Sequence, residues 1–349
     1  MLWPIHSFTY DFTGQQANGV LALIEPSNAQ PAHRPRWPMK LCCVVYQRCL
    51  RASLVDMRTE WVDARWVAEG PEFSPGSVCW IDLSTLDPAA SRDFYAGLFG
   101  WIFRIHPVRG REQYMTALCR GRPVAGVQGT PMRAGSVNAW TLYLASANVW
   151  HTAQVLGRWG GRVLYGPANF PGQGRVLVGE DPTGAVIGFW QPAPRAWEFH
   201  TSEPEALFWA ELDTWDGMRA DGFFAALFGY RQEQIGDGID VDYTTWSGQE
   251  RSILGRLQMS QDWAEPDCAA HWVLHFAVDP RIGTDLTADR VLDLGGRVDV
   301  DPYDTELGRI ARVTDPCGAT FALIDPTDRA EIPVELAAGP ARVDDPYDD

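Results

Sequence analysis

Phe94-Tyr95-Ala96-Gly97-Leu98-Phe99-Gly100-Trp101 returns 129 residues later as Phe223-Phe224-Ala225-Ala226-Leu227-Phe228-Gly229-Tyr230. The match extends in both directions. Trp80-Ile81-Asp82-Leu83 returns as Trp209-Ala210-Glu211-Leu212, Tyr114 as Tyr243 and Gly126 as Gly255, all at the same offset. Further on the offset drifts slightly, as loop insertions cause. Trp140 maps to Trp272, Gly160-Gly161 to Gly295-Gly296 and Gly174-Arg175 to Gly308-Arg309. Asp181-Pro182-Thr183-Gly184-Ala185 maps to Asp315-Pro316-Cys317-Gly318-Ala319. So many matches in one order mark a tandem duplication, with copies at 75–195 and 204–328.

Each copy contains a finer repeat. Residues 78–84 read as a strand. Residues 88–99 read as a helix with Phe94, Leu98 and Phe99 on one stripe and Gly100 at its end. Strand-like runs follow near 114–119 and 123–129. A second strand at 140–145 leads into a helical run at 149–159, stopped by Gly160-Gly161, and then strands at 162–165, 175–180 and 185–191. The unit is β-α-β-β-β, used twice per copy and four times in the chain, which predicts an α+β fold of two tandem domains. Residues 1–74 are proline-rich and aperiodic and read as a poorly ordered extension, with Met57 an alternative start. Residues 329–349 read as a solvated acidic tail.

Composition narrows the function. The chain has 349 residues and a net charge of −16, with 46% hydrophobic and 21% charged residues, a globular balance that excludes wholesale disorder. The acidic excess is a poor match for a phosphate backbone and predicts no nucleic-acid partner. Its distribution is uneven. Residues 75–195 carry eleven basic and six acidic side chains, whereas 196–328 carry nine and twenty-six. Opposite signs on two copies of one fold suggest that the copies dock partly through charge. The seven cysteines are odd in number and contain no C-x-x-C pair, which argues against a disulfide framework or a structural zinc site. No apolar run reaches the roughly 18 residues of a spanning helix. No secretory signal is legible. A cytoplasmic protein with no membrane partner is expected. Nucleophile-elbow, Walker and dinucleotide-binding motifs are absent from the sequence.

The repeat unit, Asp87 followed by Phe94-Tyr95 and Leu98-Phe99-Gly100-Trp101, and Asp181-Pro182-x-Gly184 near the end of each copy together resemble the vicinal-oxygen-chelate superfamily of glyoxalase, bleomycin-resistance and extradiol dioxygenase proteins. The resemblance covers residues 75–328. The Trp-x-Asp-Leu start and Phe189-Trp190-Gln191-Pro192 are similar to its tandem branch often labelled hydroxylase or glyoxalase-like. The resemblance implies the fold. It leaves function open, because the fold hosts isomerases, dioxygenases and binding proteins.

It also implies positions at which to look for metal ligands: the first strand of each unit, and seven residues after the Asp of Asp-Pro-x-Gly. Counting in that frame places Trp80, Trp140, Trp209 and Trp272 at the first kind of position and Gly188 and Ala322 at the second. None of these side chains ligates a metal. The expectation is therefore no cofactor, with a divalent metal disfavoured. His271 and His275, four residues apart on a strand, would lie about 13 Å apart. A one-residue register slip would move His271 to a ligand position, and His275 is expected on the helix-facing side.

Alternation along strands then sets the contents of the two clefts. Trp80 carries Asp82 and Ser84 with it, and Trp209 carries Glu211 and Asp213. Trp140 and Trp272 are expected to join them from the second units, and Gly188 and Trp190 from the last strand of copy one. The ligand-binding candidates are Trp80, Trp140, Trp190, Tyr114, Trp209 and Trp272. Asp82 and Glu211 are the acid–base candidates, because a carboxylate desolvated beside indoles has a raised pKa. Each also has a plain reading as an acceptor for an indole N–H or a facing arginine. The main expectation is a metal-independent protein that binds an aromatic or apolar small molecule, a metabolite or an antibiotic, in a tryptophan-rich cleft. The alternative is an enzyme of secondary or xenobiotic metabolism: a hydroxylase, a dioxygenase or a lyase-like catalyst.

Overall fold

The computed structural model describes residues 73–106, 114–130, 138–193, 198–235, 238, 242–248, 252–305 and 307–328. Nearly all of the amino-terminal extension and the whole acidic tail lie outside the described residues. The first copy runs β1 Val78–Thr85, α1 Pro88–Phe99, β2 Ile102–His106, β3 Tyr114–Cys119, β4 Arg122–Gly129, β5 Ala139–Ala145, α2 Val149–Arg158, β6 Arg162–Phe170, β7 Gly174–Glu180 and β8 Val186–Pro192. The second runs β9 Leu207–Thr214, α3 Gly217–Phe228, β10 Arg231–Ile235, β11 Tyr243–Ser247, β12 Ser252–Gln258, β13 His271–Ala277, α4 Gly283–Asp293, β14 Arg297–Thr305, β15 Gly308–Thr314 and β16 Thr320–Asp325. This is the expected β-α-β-β-β unit, four times over.

The repeated residues explain why the elements start and stop where they do. Asp87 accepts from the Ala89 and Ala90 amides at the start of α1, and Pro88 opens the helix. Gly100 ends it at φ 67°, a left-handed conformation that favours glycine. Asp216 and Gly229, at φ 70°, do the same for α3. These parts of the repeat are helix punctuation.

Each copy folds into one eight-stranded sheet. The orders are β2-β3-β4-β1-β5-β8-β7-β6 and β10-β11-β12-β9-β13-β16-β15-β14. In both, the first strands of the two units are antiparallel neighbours at the centre. The helices of each copy lie on one face of its sheet, and the two helix-bearing faces share a single core. Within it Phe94 meets Phe321, Phe99 meets Phe276, and Trp140 meets Phe276 at ring-centroid distances of 6.4, 5.4 and 5.3 Å. The halves therefore join through aromatic burial. Partly exposed pairs such as Arg120–Glu205 at 2.6 Å add to this. Cys79, Cys119 and Cys317 are free thiols. Cys268 is disulfide-bonded, a pairing the odd count did not suggest.

The other face of each sheet carries a separate, smaller cluster. In the first sheet it contains Trp80, Tyr143, Phe170, Val176, Val178, Val186 and Trp190. In the second it contains Val273, Ile310, Ala322 and Ile324. These inner faces are the two clefts.

Candidate functional site

Pairing register decides which side chains reach each cleft. In the first sheet Asp82 faces Thr141, Leu83 faces Trp140 and Trp80 faces Tyr143. Cross-strand partners share a face, so Trp140 lies with Leu83 on the helix side. There its indole donates to the Tyr95 hydroxyl at 3.1 Å. In the second sheet Trp272 pairs with Leu212 and His275 with Trp209. Trp272 is therefore also in the helix-side core, and His275 is on the cleft side. Three expectations are corrected: Trp140 and Trp272 line neither cleft, and His275 does not face the helices. The residues brought into the clefts from the second units are Thr141 and Tyr143 in one, and His271, Val273 and His275 in the other. Alternation within a strand could not reveal this. It relates residues of one strand, whereas the face is set by pairing with another.

Trp80, Tyr114, Asp82 and Trp190 do reach the first cleft. The Trp80 indole donates to Asp82 Oδ1 at 2.8 Å and contacts the Tyr114 hydroxyl at 3.0 Å, and Tyr114 donates to Asp82 Oδ1 at 2.9 Å. Tyr143 also hydrogen-bonds the carboxylate. Gly126, on the neighbouring strand, makes room for this cluster, since a Cβ there would collide with Asp82 Oδ1 and the Tyr114 hydroxyl. Burial pushes Asp82 up to about 6, against the opposing pull of its indole and phenol donors. Phe199 packs edge-on against Trp80, and Phe170 stacks on Trp190. Trp80, Asp82, Tyr114, Tyr143 and Trp190 are all buried.

Glu211 and Trp209 reach the second cleft. The Trp209 indole donates to the Tyr243 hydroxyl at 2.8 Å above Gly255, which serves as Gly126 does. From there the copies diverge. Arg312, on β15, donates from Nη1 to Asp213 Oδ2 at 2.7 Å and from Nη2 to Glu211 Oε1 at 3.1 Å. His271 Nε2 lies 3.7 Å from Asp213 Oδ2. Burial, with the Asp213 charge second, raises the Glu211 pKa. Burial would raise Asp213 too, but Arg312 and His271 outweigh it and hold that carboxyl below its usual value. Burial, reinforced by Arg312, drives His275 down to about 3. Burial thus favours the protonated form of Glu211 and the neutral form of His275, while Arg312 favours the ionised form of Asp213. A carboxyl that keeps its proton near neutrality beside a fixed ion pair is equipped for proton transfer. The second cleft is also the more open. Trp209, Tyr243, His271 and Arg312 are partly exposed, while Trp80 and Tyr114 are buried.

Arg312 and His275 escaped the sequence reading as site residues. The signal was present in the offset between copies: the positions matching Ser84, Tyr143 and Val178 hold Asp213, His275 and Arg312. A serine, a tyrosine and a valine have become an aspartate, a histidine and an arginine, and all three changes fall on one sheet face.

The donor sets were tested against a divalent metal. The first cleft offers the Asp82 carboxylate among phenols and indoles, with the His106 imidazole beside Tyr114 bonded to Thr116 Oγ1 at 3.0 Å; among the described residues no three His, Cys, Asp or Glu side chains converge there, and it does not fit. The second brings Glu211, Asp213, His271 and His275 to one face, the donor types that such ions take. Their arrangement does not fit either. The Arg312 guanidinium already engages one oxygen of each carboxylate, and among the described residues no three His, Cys, Asp or Glu side chains converge.

Comparison with known proteins adds the following. No family profile matches the chain. The chain is 32% identical over 266 residues to the anthracycline biosynthesis protein DauV of Streptomyces sp. (strain C5), covering 72% of this chain and 94% of that one. Among solved structures it resembles 2,2',3-trihydroxybiphenyl 1,2-dioxygenase from Sphingomonas wittichii strain RW1, with a TM-score of 0.51, 14% identity, and 72% and 91% of the two chains covered. It also resembles the Mn(II)-bound glyoxalase from Novosphingobium aromaticivorans, with a TM-score of 0.48, 15% identity, and 73% and 86% covered. The expectation that a divalent metal is disfavoured is corrected: two of the six positions on which it was counted, Trp140 and Trp272, face the helices and say nothing about the clefts.

Proposed function

The chain belongs to the vicinal-oxygen-chelate superfamily, and we propose that it is an enzyme of natural-product metabolism acting on an aromatic small molecule in its second cleft. The observation that carries this reading is the group Glu211–Arg312–Asp213 with His275, built on a partly open sheet face where the first copy has Asp82, Val178, Ser84 and Tyr143. A site that only sequestered an apolar ligand gains nothing from three buried ionisable groups and a partly exposed arginine bonded to two of them, which are costly to desolvate. The enzyme reading is therefore better supported than the plain binding protein. The 32% identical relative named for anthracycline biosynthesis supports an aromatic natural product as the substrate class.

In this reading Glu211 is the acid–base residue. The Asp213–Arg312 pair fixes its position and its proton, and Trp209 and Tyr243 flank the substrate. The first cleft, closed by Phe199 and Phe170, serves as framework, with Asp82 an acceptor that orders Trp80 and Tyr114.

The test is turnover. Purified full-length protein, incubated in air with a panel of polycyclic aromatic polyketides and followed by liquid chromatography with mass detection, should convert at least one of them. Glu211→Gln should lower kcat by about 10²-fold or more, with Asp82→Asn nearly unchanged. Ligands that bind and are never converted, under any supply of divalent metal, would overturn the enzyme reading.

A further inference from the structure

His275 is 2% exposed, and among the described residues neither of its ring nitrogens has a hydrogen-bond partner. Its counterpart in the first copy, Tyr143, is equally buried but hydrogen-bonds Asp82. The residue that could have served His275 in the same way, Glu211, is instead engaged by Arg312 and Tyr243. The same inner face carries two further buried oxygens without partners, Asp213 Oδ1 and Thr245 Oγ1. A buried polar group left unpaired is costly, so native structures keep few of them, and those they keep call for an explanation.

The surroundings define what would satisfy the imidazole. His275 pairs across the sheet with Trp209 on one side and Ala322 on the other. Val273, Ala322 and Ile324 supply an apolar wall. Arg312 faces a cationic group with like charge, and Asp213 does the same to an anion. A neutral imidazole has one donor and one acceptor nitrogen. The complement is a group that is itself neutral and both donates and accepts: a hydroxyl. The parts of this group that reach the surface are Arg312, whose side chain is 20% exposed, and Tyr303, which is 38% exposed and hydrogen-bonds it.

We propose that His275 is a specificity residue of the second cleft, hydrogen-bonding a neutral hydroxyl group borne on an apolar ring that packs against Trp209. This rests on the reading of the second cleft as the ligand site, and the experiment separates the two.

The probes are 2-naphthol and its methyl ether, 2-methoxynaphthalene, which differ in the hydroxyl hydrogen. Binding of each to the full-length protein is measured by calorimetry, and the His275 imidazole is followed by nitrogen NMR. The expected result is about tenfold tighter binding of naphthol, the value of one net hydrogen bond, with a shift of the His275 ring nitrogens. The preference should vanish in His275→Phe and largely survive in His275→Gln. His275→Tyr, which installs the residue of the first copy, is a second variant chosen to keep the fold; its hydroxyl can bond Glu211 as Tyr143 bonds Asp82, and it too should lose the preference for naphthol. Equal affinity for the two probes, with Trp209→Ala still abolishing binding, would overturn hydroxyl recognition and leave the cleft reading in place. Binding indifferent to Trp209→Ala, or no binding of either probe, would overturn both.

Discussion

The two clefts descend from one ancestral sheet face and still share its framework. Trp80 and Trp209, Tyr114 and Tyr243, and Gly126 and Gly255 occupy matching places. The first cleft gathers its donors onto a single carboxylate and covers them with Phe199 and Phe170. The second bonds one guanidinium to two carboxylates and leaves an imidazole unpaired beside them among the described residues. The lesson is that the copies kept what holds the sheets together and diverged on the face that does not. The helix-side residues of the two halves form one shared core, so a change there disturbs both halves at once. A change on an inner face is confined to its own cleft.

The largest test of that contrast converts one cleft toward the other. Arg312→Val, the residue found at position 178, strands Glu211 and Asp213 in a buried setting and should cost about 3–5 kcal/mol in urea denaturation. Adding Asp213→Ser, the residue at position 84, should return most of the loss. If Arg312→Val is as stable as the parent, the ion pair is not what holds the second cleft.

A smaller effect belongs to the first cleft. Asp82 has a folded-state pKa of about 6 against an ordinary 3.8, so the native state binds the proton more tightly than the unfolded chain. Its contribution to stability is complete below about pH 4 and is lost as pH rises through 6. The ceiling is about 3 kcal/mol. The parent should lose more stability than Asp82→Asn between pH 4 and 7, and the difference between the two curves isolates this carboxyl, because Asp181 and Glu211, raised by burial, and His275, lowered by it, shape the slope that both proteins share. A difference that does not change with pH across that window would contradict the burial argument.

The third contrast lies in the core. Tyr95 accepts from the Trp140 indole and donates to Asp315 Oδ2, each at 3.1 Å, tying one half to the other. The matching position in the second copy is Phe224. Its ring meets Trp272 at 5.8 Å and 87°, nearly as Tyr95 meets Trp140 at 5.4 Å and 81°. Without the hydroxyl, Trp272 Nε1 and Asp181 Oδ2 are both left without partners among the described residues. Phe224→Tyr should supply both bonds and stabilise by about 1–3 kcal/mol, and Tyr95→Phe should destabilise by a similar amount. Thermal denaturation would read this as shifts of opposite sign, about 2–4 °C per kcal/mol. Shifts of the same sign would show that the duplication symmetry fails at this point.

Much of this was legible in the chain. The strand-to-strand repeat, Asp87 and Gly100 as helix punctuation, and the sharing of one face by Trp80 with Asp82 and by Trp209 with Glu211 all follow from local pattern. Trp140 and Trp272 were misplaced, because a strand's alternation tells which residues share a face without telling which face it is. Arg312 went unnoticed as the partner of Asp213, which lies 99 residues earlier. Lining up the copies would have exposed it, as the ionisable residue standing where Val178 stands.

The amino-acid sequence by itself determined the duplication, the order of elements and their ends, since these depend on residues close together along the chain. The tertiary structure alone decided which half of each central strand enters a cleft, which carboxylate Arg312 neutralises, and that His275 is left without a partner. Those outcomes depend on the register between strands distant in sequence, where a shift of one residue exchanges the two faces of a sheet.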